Sequence, residues 1–317
     1  MRILTRAVPV ILCASALTLA LALGGGCGDD DGAGQNNNNA WEQLSDDSVV
    51  TEAGPADYTC MGAPDPALTF TQDTEITGIV EDFEMHYPVE GIEVTVYATR
   101  ADIVADIAFD VSAPSGSDGS YSVTVPADTQ RVHYKMIDPT GLDYFDTMEL
   151  EDPVAGMGPG APTTTGKDRA AISLATVDTV QLTLGMSRIP GRGIIAGTVY
   201  DCLREHVAGA GMRVYDGPAT DPSRQVISLW SNDTPDRNSF YFRDGMPSRL
   251  QSYTELGGQV LVANLVTGSP VTVEIWGRIE AGQSPEDCTG GCLISTQEVP
   301  VIADTVVITD LNPLFGN

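Results

Sequence analysis

An internal repeat constrains the fold of this chain more than any other feature of its sequence. Residues 76–82 align with residues 195–201 at a constant offset of 119, and residues 89–97 align with residues 207–215 at an offset of 118 after a one-residue deletion. Each diagonal contains four identities, which chance rarely produces. The sequence therefore predicts two copies of one structural unit in tandem.

Each copy alternates apolar and polar residues in the manner of short β-strands. Residues 92–96 have one aliphatic face and one polar face, as expected for a half-buried strand of an antiparallel sheet. A glycine-containing turn at residues 115–119 precedes a second alternating segment at residues 121–125. The second copy repeats the alternation in residues 257–262 and 271–276. Many short strands at this spacing predict an all-β protein built from two tandem β-sandwiches.

Equivalence of the two copies also predicts which side chains are buried, because successive side chains of a strand point to opposite faces. Apolar residues of the matched strands should point into the sandwich cores: Val94, Val96, Met212 and Val214. The polar residues between and beside them should point to solvent: Glu93, Thr95 and Arg213.

One stretch departs from the β pattern. Residues 173–185 place three apolar residues, Leu174, Val177 and Leu184, nearer to helical spacing than to strand spacing. The stretch begins with Ser173 in the position of a helix cap and ends at a glycine, which predicts a short helix packed between the domains. The alternative is a strand, because residues 180–184 also alternate.

The N-terminus has the layout of a secretory signal, with two arginines, an apolar run at residues 7–23 and three glycines at residues 24–26. A transmembrane anchor is the competing interpretation, since the apolar run is only slightly shorter than the ~20 residues that span a bilayer. The glycines and the aspartates at residues 29–31 argue for a cleaved signal.

The segment from Leu23 through three glycines to Cys27 resembles the lipobox of bacterial lipoproteins. It departs from that pattern at Gly24, where the family prefers a bulky aliphatic residue. The resemblance implies that Cys27 is lipidated and becomes the first residue of the mature chain. Such a protein would be held to a membrane, with the outer membrane favoured over the inner.

Two stretches of biased composition divide the rest of the chain. Residues 28–57 are nearly free of aliphatic side chains and should form a solvated tether, and residues 152–167 are crowded with Pro, Gly and Thr. The predicted organisation is a signal peptide at 1–26, a tether at 27–57, a first sandwich at 58–151, a linker with a short helix at 152–190 and a second sandwich at 191–317. Such a linker should let few contacts cross between the sandwiches.

Four cysteines remain after Cys13 leaves with the signal and Cys27 carries the lipid: Cys60, Cys202, Cys288 and Cys292. An even count in an exported chain predicts two disulfides, and the count alone leaves their connectivity open. The short loop between Cys288 and Cys292 contains two glycines and can close locally, which favours a second bond between Cys60 and Cys202. A metal site is the weaker alternative, because no histidine lies near the last two cysteines.

The charge of the chain excludes several classes of partner. Acidic residues number 44 against 16 basic ones, so the protein repels phosphates and anionic headgroups. Nucleic acid is therefore not an expected partner, and the sequence contains nothing that predicts a cofactor.

The repeat carries a recognisable motif. Residues 78–82, 88–97 and 118–126 combine a Gly-x-Val-x-Asp phrase, a Pro-Val-x-Gly phrase and an Asp-Gly turn, and this combination resembles the carboxypeptidase regulatory-like domain. The second copy keeps the first two phrases, except for the proline, but has residues 254–258 in place of the Asp-Gly turn. The resemblance implies a transthyretin-like Greek-key sandwich of seven strands with a structural or binding role. The stretches at 58–62 and before Cys202 are also similar to surface lipoproteins of the myxobacterial type, which come from predatory, gliding soil bacteria.

A search for catalytic chemistry finds no constellation of nucleophile, base and orienting group. The histidines stand at positions 86, 133 and 206, and His133 lies in an alternating strand where a solvent-facing position is expected. Aspartates such as Asp118 or those at 233 and 236 are predicted to form turns, with calcium binding as the alternative. Trp230 and Trp276 lie in alternating segments, which favours burial over a sugar platform.

The sequence therefore predicts a lipid-anchored cell-envelope protein whose β-sandwich domains bind or support without catalysing, with a glycan or an envelope protein as partner. The alternative is a carbohydrate-active hydrolase that uses two carboxylates, which a pair of close carboxylates in a cleft would favour.

Overall fold

Seventeen strands and two short helices make up the described part of the chain. The computed structural model describes residues 56–63, 72–129, 131–153, 163–228, 238–243, 245–248, 254–277 and 293–313. The strands are β1 (Thr74–Asp82), β2 (Glu93–Tyr97), β3 (Asp110–Val111), β4 (Ser120–Val125), β5 (Arg131–Ile137), β6 (Tyr144–Pro153), β7 (Thr163–Thr164), β8 (Arg169–Ser173), β9 (Gly193–Val199), β10 (Gly211–Asp216), β11 (Val226–Ser228), β12 (Ser239–Arg243), β13 (Met246–Ser248), β14 (Gln259–Leu265), β15 (Val271–Trp276), β16 (Leu293–Val299) and β17 (Thr305–Leu311). The helices are α1 (Arg100–Ala105) and α2 (Leu174–Thr183). The prediction of an all-β sandwich fold is confirmed.

Nine of these strands form one hydrogen-bonded path, in the order β13-β12-β14-β9-β17-β6-β5-β2-β3. Strands β1, β4, β7 and β8 form an additional layer, which joins this path where β8 pairs with β6. A separate sheet has the order β11-β10-β15-β16. The nine-strand path is thus a common layer, and each half of the chain adds a layer of its own.

The two copies of the repeat share one pairing scheme. Strand β1 pairs antiparallel with β4 and parallel with β8, and β9 pairs antiparallel with β14 and parallel with β17. Strand β5 lies between β2 and β6, as β15 lies between β10 and β16. The copies differ in which sheet enters the common layer, since the first contributes the sheet of β2 and the second contributes the sheet of β9.

The turn at residues 254–258 occupies the place of the Asp-Gly turn in the first copy. The backbone N–H of Val80 donates to the carbonyl of Gly119 at 2.8 Å, and that of Val199 donates to Gly258 at 2.9 Å. Both glycines have a left-handed backbone, with φ of 74° and 63°. The two turns are therefore equivalent despite their different sequences.

Three apolar clusters fill the spaces between the layers. The first contains Val94 and Val96, the second contains Met212 and Val214, and the third lies beneath α2 and includes Ile194. The four predicted core residues are fully buried, so the inward half of the strand prediction is confirmed.

The outward half of that prediction is wrong at Thr95. This residue is only 4% exposed, and Tyr97 on the same face is fully buried within the second cluster. Strand β2 belongs to the common layer, whose two faces are both covered at this point. Glu93 and Arg213 are half-buried.

The predicted helix is present as α2, and the strand alternative is wrong. The side-chain hydroxyl of Ser173 accepts from the N–H of Thr176 at 3.0 Å, which caps the helix. Val177 is buried against the third cluster, and Gly185 follows the helix with φ of 62°. Helix α1, capped by Thr99, was not anticipated from the sequence.

The expectation of few contacts between the halves is also wrong. Strand β17, from the C-terminal end, runs parallel to β6 of the first copy, with pairs from Thr305↔Asp146 to Thr309↔Leu150. Strands β7 and β8, which the sequence places in the linker, pair with β1. Arg100 of α1 donates to the carbonyl of Glu298 in the second copy. The halves are therefore joined by backbone pairing.

Candidate functional site

The segment at residues 56–63 is clamped onto the second copy beside the β9–β10 loop. The backbone N–H of Asp57 donates to Asp201 Oδ2 at 2.9 Å, and the N–H of Cys202 donates back to the carbonyl of Asp57 at 2.8 Å. Cys60 forms a disulfide with Cys202, with a Cα–Cα distance of 5.6 Å. The structure thus contains the disulfide that the sequence favours.

Apolar packing reinforces this clamp. Tyr58 is buried in the second core cluster, with Ala56 and Met61 packed against it. Burial and the nearby charge of Asp201 raise the pKa of the Tyr58 phenol, which therefore stays neutral. Strand β17 stops at Leu311, whose carbonyl accepts from the N–H of Tyr200. The next bond after the end of β9, from the N–H of Cys202, goes to the carbonyl of Asp57 and not to a longer β17, so the segment completes the end of the second sandwich.

Several predicted site residues lie outside the described residues, among them Cys27, Cys288, Cys292, Trp230 and the aspartates at 233 and 236. The predicted lipidation and the predicted Cys288–Cys292 bond therefore stay predictions.

An open groove of about 660 Å³ lies beside β1 and β4. Its lining includes the exposed hydroxyl side chains of Ser120 and Ser122, together with Pro114. Asp168 is the one carboxylate in that lining, and it accepts a hydrogen bond from the N–H of Ile79 at 3.0 Å. The two serine hydroxyls already donate to neighbouring carboxylates, that of Ser120 to Asp118 and that of Ser122 to Glu75, each at 2.7 Å.

The histidines are dispersed. His86 is exposed in the β1–β2 loop, and the ring of His206 lies 5.3 Å from that of Tyr200. His133 is 3% exposed, so the solvent-facing prediction for it is wrong. Burial and the charges of Arg100 and Arg131 lower the pKa of His133 to about 3, which keeps the imidazole neutral. Within the described ranges, no group of three or more His, Cys, Asp or Glu side chains is arranged to hold a metal ion.

Asp118 and Trp276 have structural contacts. Asp118 accepts from the hydroxyl and the N–H of Ser120 at 2.7 and 3.1 Å, and these bonds hold its pKa below the usual range. This is the turn-forming role that the sequence predicts. Trp276 is half-buried, with its indole N–H donating to Glu274 at 3.0 Å and Arg213 over its ring.

Buried ion pairs stand in both copies. Arg169 pairs with Glu149 and lies 3.9 Å above the Tyr134 ring, and Arg224 pairs with Glu274. Each carboxylate is thus bonded to a guanidinium. No helix in the described part of the chain is long and apolar enough to cross a bilayer.

Sequence reasoning missed the loop that follows β1. Its residues Phe83, Met85 and Tyr87 are 48%, 67% and 49% exposed. The sequence does have three large apolar residues at alternate positions in this loop, but alternation of this kind also occurs in strands and does not predict exposure.

No family model matches the chain, and no curated protein matches it. Similar solved structures include a streptococcal ancillary pilin, 13% identical with a TM-score of 0.20, for which the match covers 77% of this chain and 63% of the pilin. The shaft pilin SpaA from Lactobacillus rhamnosus GG is 10% identical, with a TM-score of 0.21 and coverage of 77% and 98%. The minor pilin of Streptococcus agalactiae is also 10% identical, with a TM-score of 0.21 and coverage of 77% and 96%. At these scores we rest no functional argument on the likeness.

Proposed function

We propose that this protein is a lipid-anchored, non-enzymatic component of the bacterial cell envelope that presents two joined β-sandwiches for binding or support. The lipid on Cys27, the kinship with carboxypeptidase regulatory-like domains and a glycan or envelope protein as partner all belong to this proposal.

The clamp formed by residues 56–63 is the observation that carries the proposal. A disulfide such as Cys60–Cys202 is typical of chains that fold outside the reducing cytoplasm. In this proposal the tether ends where the clamp begins, at the second sandwich. A solvated tether of the 28 residues from 28 to 55 would have a root-mean-square length of roughly 30 Å, which leaves the domains clear of the membrane surface.

The arrangement of carboxylates gives no support to the alternative activity. A hydrolase of the retaining or inverting type needs two carboxyl groups facing each other across a cleft. The groove beside β1 has Asp168 alone in its described lining, and that carboxylate is engaged by a backbone N–H.

Cell fractionation tests the anchor. Cys27→Ala should move the protein from the membrane pellet to the soluble fraction without unfolding it, because the lipid lies far along the chain from the clamp. Cys13→Ala is the matched control, since Cys13 lies within the signal, and it should leave the protein in the pellet. A Cys27→Ala protein that stays with membranes after a high-salt wash would refute the lipid anchor.

A further inference from the structure

The loop between β1 and β2 presents large apolar side chains on a rigid backbone. Phe83 and Met85 are 48% and 67% exposed, and Tyr87 is 49% exposed. The buried carboxylate of Asp82 accepts from the N–H groups of Glu84 and Met85 at 3.0 and 2.8 Å. Because the loop is already ordered, it would lose little conformational freedom on binding a partner.

Contacts with neighbouring elements hold the loop further. The N–H of Phe83 donates to the carbonyl of Ala171 at 2.9 Å, and the hydroxyl of Thr176 donates to Glu84 Oε2 at 3.0 Å. The hydroxyls of Tyr87 and Tyr144 are 3.4 Å apart. Exposed aromatic and Met side chains in a fixed cluster are typical of protein interfaces.

The matched loop of the second copy shows what such a loop can hold. Asp201 corresponds to Asp82, and Cys202 corresponds to Phe83, at the offset of 119. There the loop holds the segment at residues 56–63, which turns after Tyr58, through one backbone–backbone bond, one bond from a backbone N–H to the Asp201 carboxylate, and the disulfide. In the first copy the matched donor, the N–H of Phe83, is taken by Ala171 of β8, so a partner would contact the side chains of the loop.

The charge around the first-copy loop selects among occupants. No Lys or Arg stands between Arg6 and Arg100, whereas Glu81, Asp82, Glu84 and Glu90 lie within ten residues of one another. This acidic surrounding disfavours a second copy of this chain, which carries a net charge of −28, and an anionic lipid surface. It favours a partner that combines basic and apolar side chains.

The loop is also remote from the clamp. Strands β6 and β17 run parallel with Asp146 opposite Thr305, so Tyr144 beside the loop and Leu311 beside the clamp are eight residues apart along the strand direction. This corresponds to roughly 26 Å.

We propose that the exposed side chains of the loop at residues 82–87 dock a segment of a partner protein that combines basic and apolar residues. The inference deepens the proposed binding role and does not depend on the lipid anchor, which the Cys27→Ala fractionation tests separately.

A peptide-binding assay with the purified full chain tests the docking. The probe is a labelled nine-residue peptide that alternates lysine with leucine, and fluorescence anisotropy reports its Kd. The control peptide alternates glutamate with leucine. The lysine peptide should bind, the glutamate peptide should not, and the double variant F83S/M85S should raise the Kd at least tenfold.

Leu203→Ser is the matched control, because Leu203 lies in the equivalent loop and is as exposed as Met85, at 67%. It should change the Kd less than twofold. Glu84→Lys gives an independent readout, since it should weaken binding of the lysine peptide while leaving the apolar side chains in place.

Failure of the lysine peptide to bind, or equal losses in F83S/M85S and Leu203→Ser, would overturn the proposal. Self-association that depends on Phe83, or binding to phosphatidylglycerol vesicles in place of the peptide, would overturn it as well by identifying another occupant.

Discussion

At the scale of single residues, burial on both faces of the common layer determines which substitutions the polar strand residues tolerate. Thr95 and His133 occupy polar positions of alternating strands, and both are nearly inaccessible to solvent. Their neighbours on that face are Tyr97, which pairs with His133 across β2 and β5, and α1. Each residue is therefore sensitive to charge.

Thr95→Asp should destabilise the protein by several kcal/mol, because it buries an unpaired carboxylate. The matched control is Thr95→Val, which keeps the branched shape, adds no charge and should cost about 1 kcal/mol through the lost hydroxyl hydrogen bond. Urea unfolding of the two variants and the native chain measures the difference. A silent Thr95→Asp would mean that this face of β2 is open to water.

His133 should make the protein acid-sensitive. Its pKa is about 3 in the folded chain and 6.5 when unperturbed, so between these values the unfolded state binds a proton that the folded state does not. The free energy of unfolding should therefore fall as the pH drops from 6.5 towards 3, by up to ~1.4 kcal/mol per pH unit from this residue.

Comparison with His133→Gln isolates this contribution, because the carboxylates titrate in both proteins. As the pH falls, the free energy of unfolding of the native chain should decrease more steeply than that of His133→Gln. Parallel pH profiles would contradict the prediction, because they would show that folding does not shift the pKa of His133.

At the scale of the element, the equivalent turns that precede β4 and β14 depend on left-handed glycines. A Cβ on Gly119 would lie 2.6 Å from the carbonyl oxygen of Val80, and one on Gly258 would lie 2.7 Å from that of Val199. The backbone of each strand approaches the turn too closely for any side chain.

Gly258→Ala should cost more than backbone strain alone. Gly141 has a similar φ of 62° but open space around its Cβ position, so Gly141→Ala should cost ~1 kcal/mol through strain. Gly258→Ala should cost about 2 to 4 kcal/mol, because it adds a clash with backbone. Equal thermal shifts for the two variants would contradict the close approach.

At the scale of the whole molecule, the nine-strand layer couples the copies. The sequence favours independent sandwiches, but β17 of the second half pairs with β6 of the first, and Tyr97 of the first half packs in the second-copy cluster. The Cys60–Cys202 bond also links residues that are 142 positions apart. It should raise the free energy of the unfolded chain by about 4 to 5 kcal/mol, because it reduces the conformational entropy of that chain.

Val96→Asp and Val214→Asp should therefore each lower the temperature of one shared unfolding transition, although the two residues lie in different core clusters. Differential scanning calorimetry of the two variants is the measurement. Two separate transitions, each sensitive to only one of the variants, would show that the copies unfold independently despite the shared layer.

The sequence by itself determined the local features of the fold. Alternation predicted that Val94, Val96, Met212 and Val214 are buried, and the repeat predicted two copies of one structural unit. Ser173 indicated the start of α2. These features could be predicted because each depends on residues close together in the chain. Spacing of the cysteines also favoured the Cys60–Cys202 bond.

Only the tertiary structure decided which faces are covered and how the copies meet. The burial of Thr95 and His133, the β17–β6 pairing and the clamp of residues 56–63 all bring together segments that are far apart in sequence. Periodicity reports the difference in polarity between the two faces of a strand, not what packs on each face. The exposure of the loop at residues 82–87 could likewise be recognised only in the tertiary structure, because it depends on which elements leave the loop uncovered.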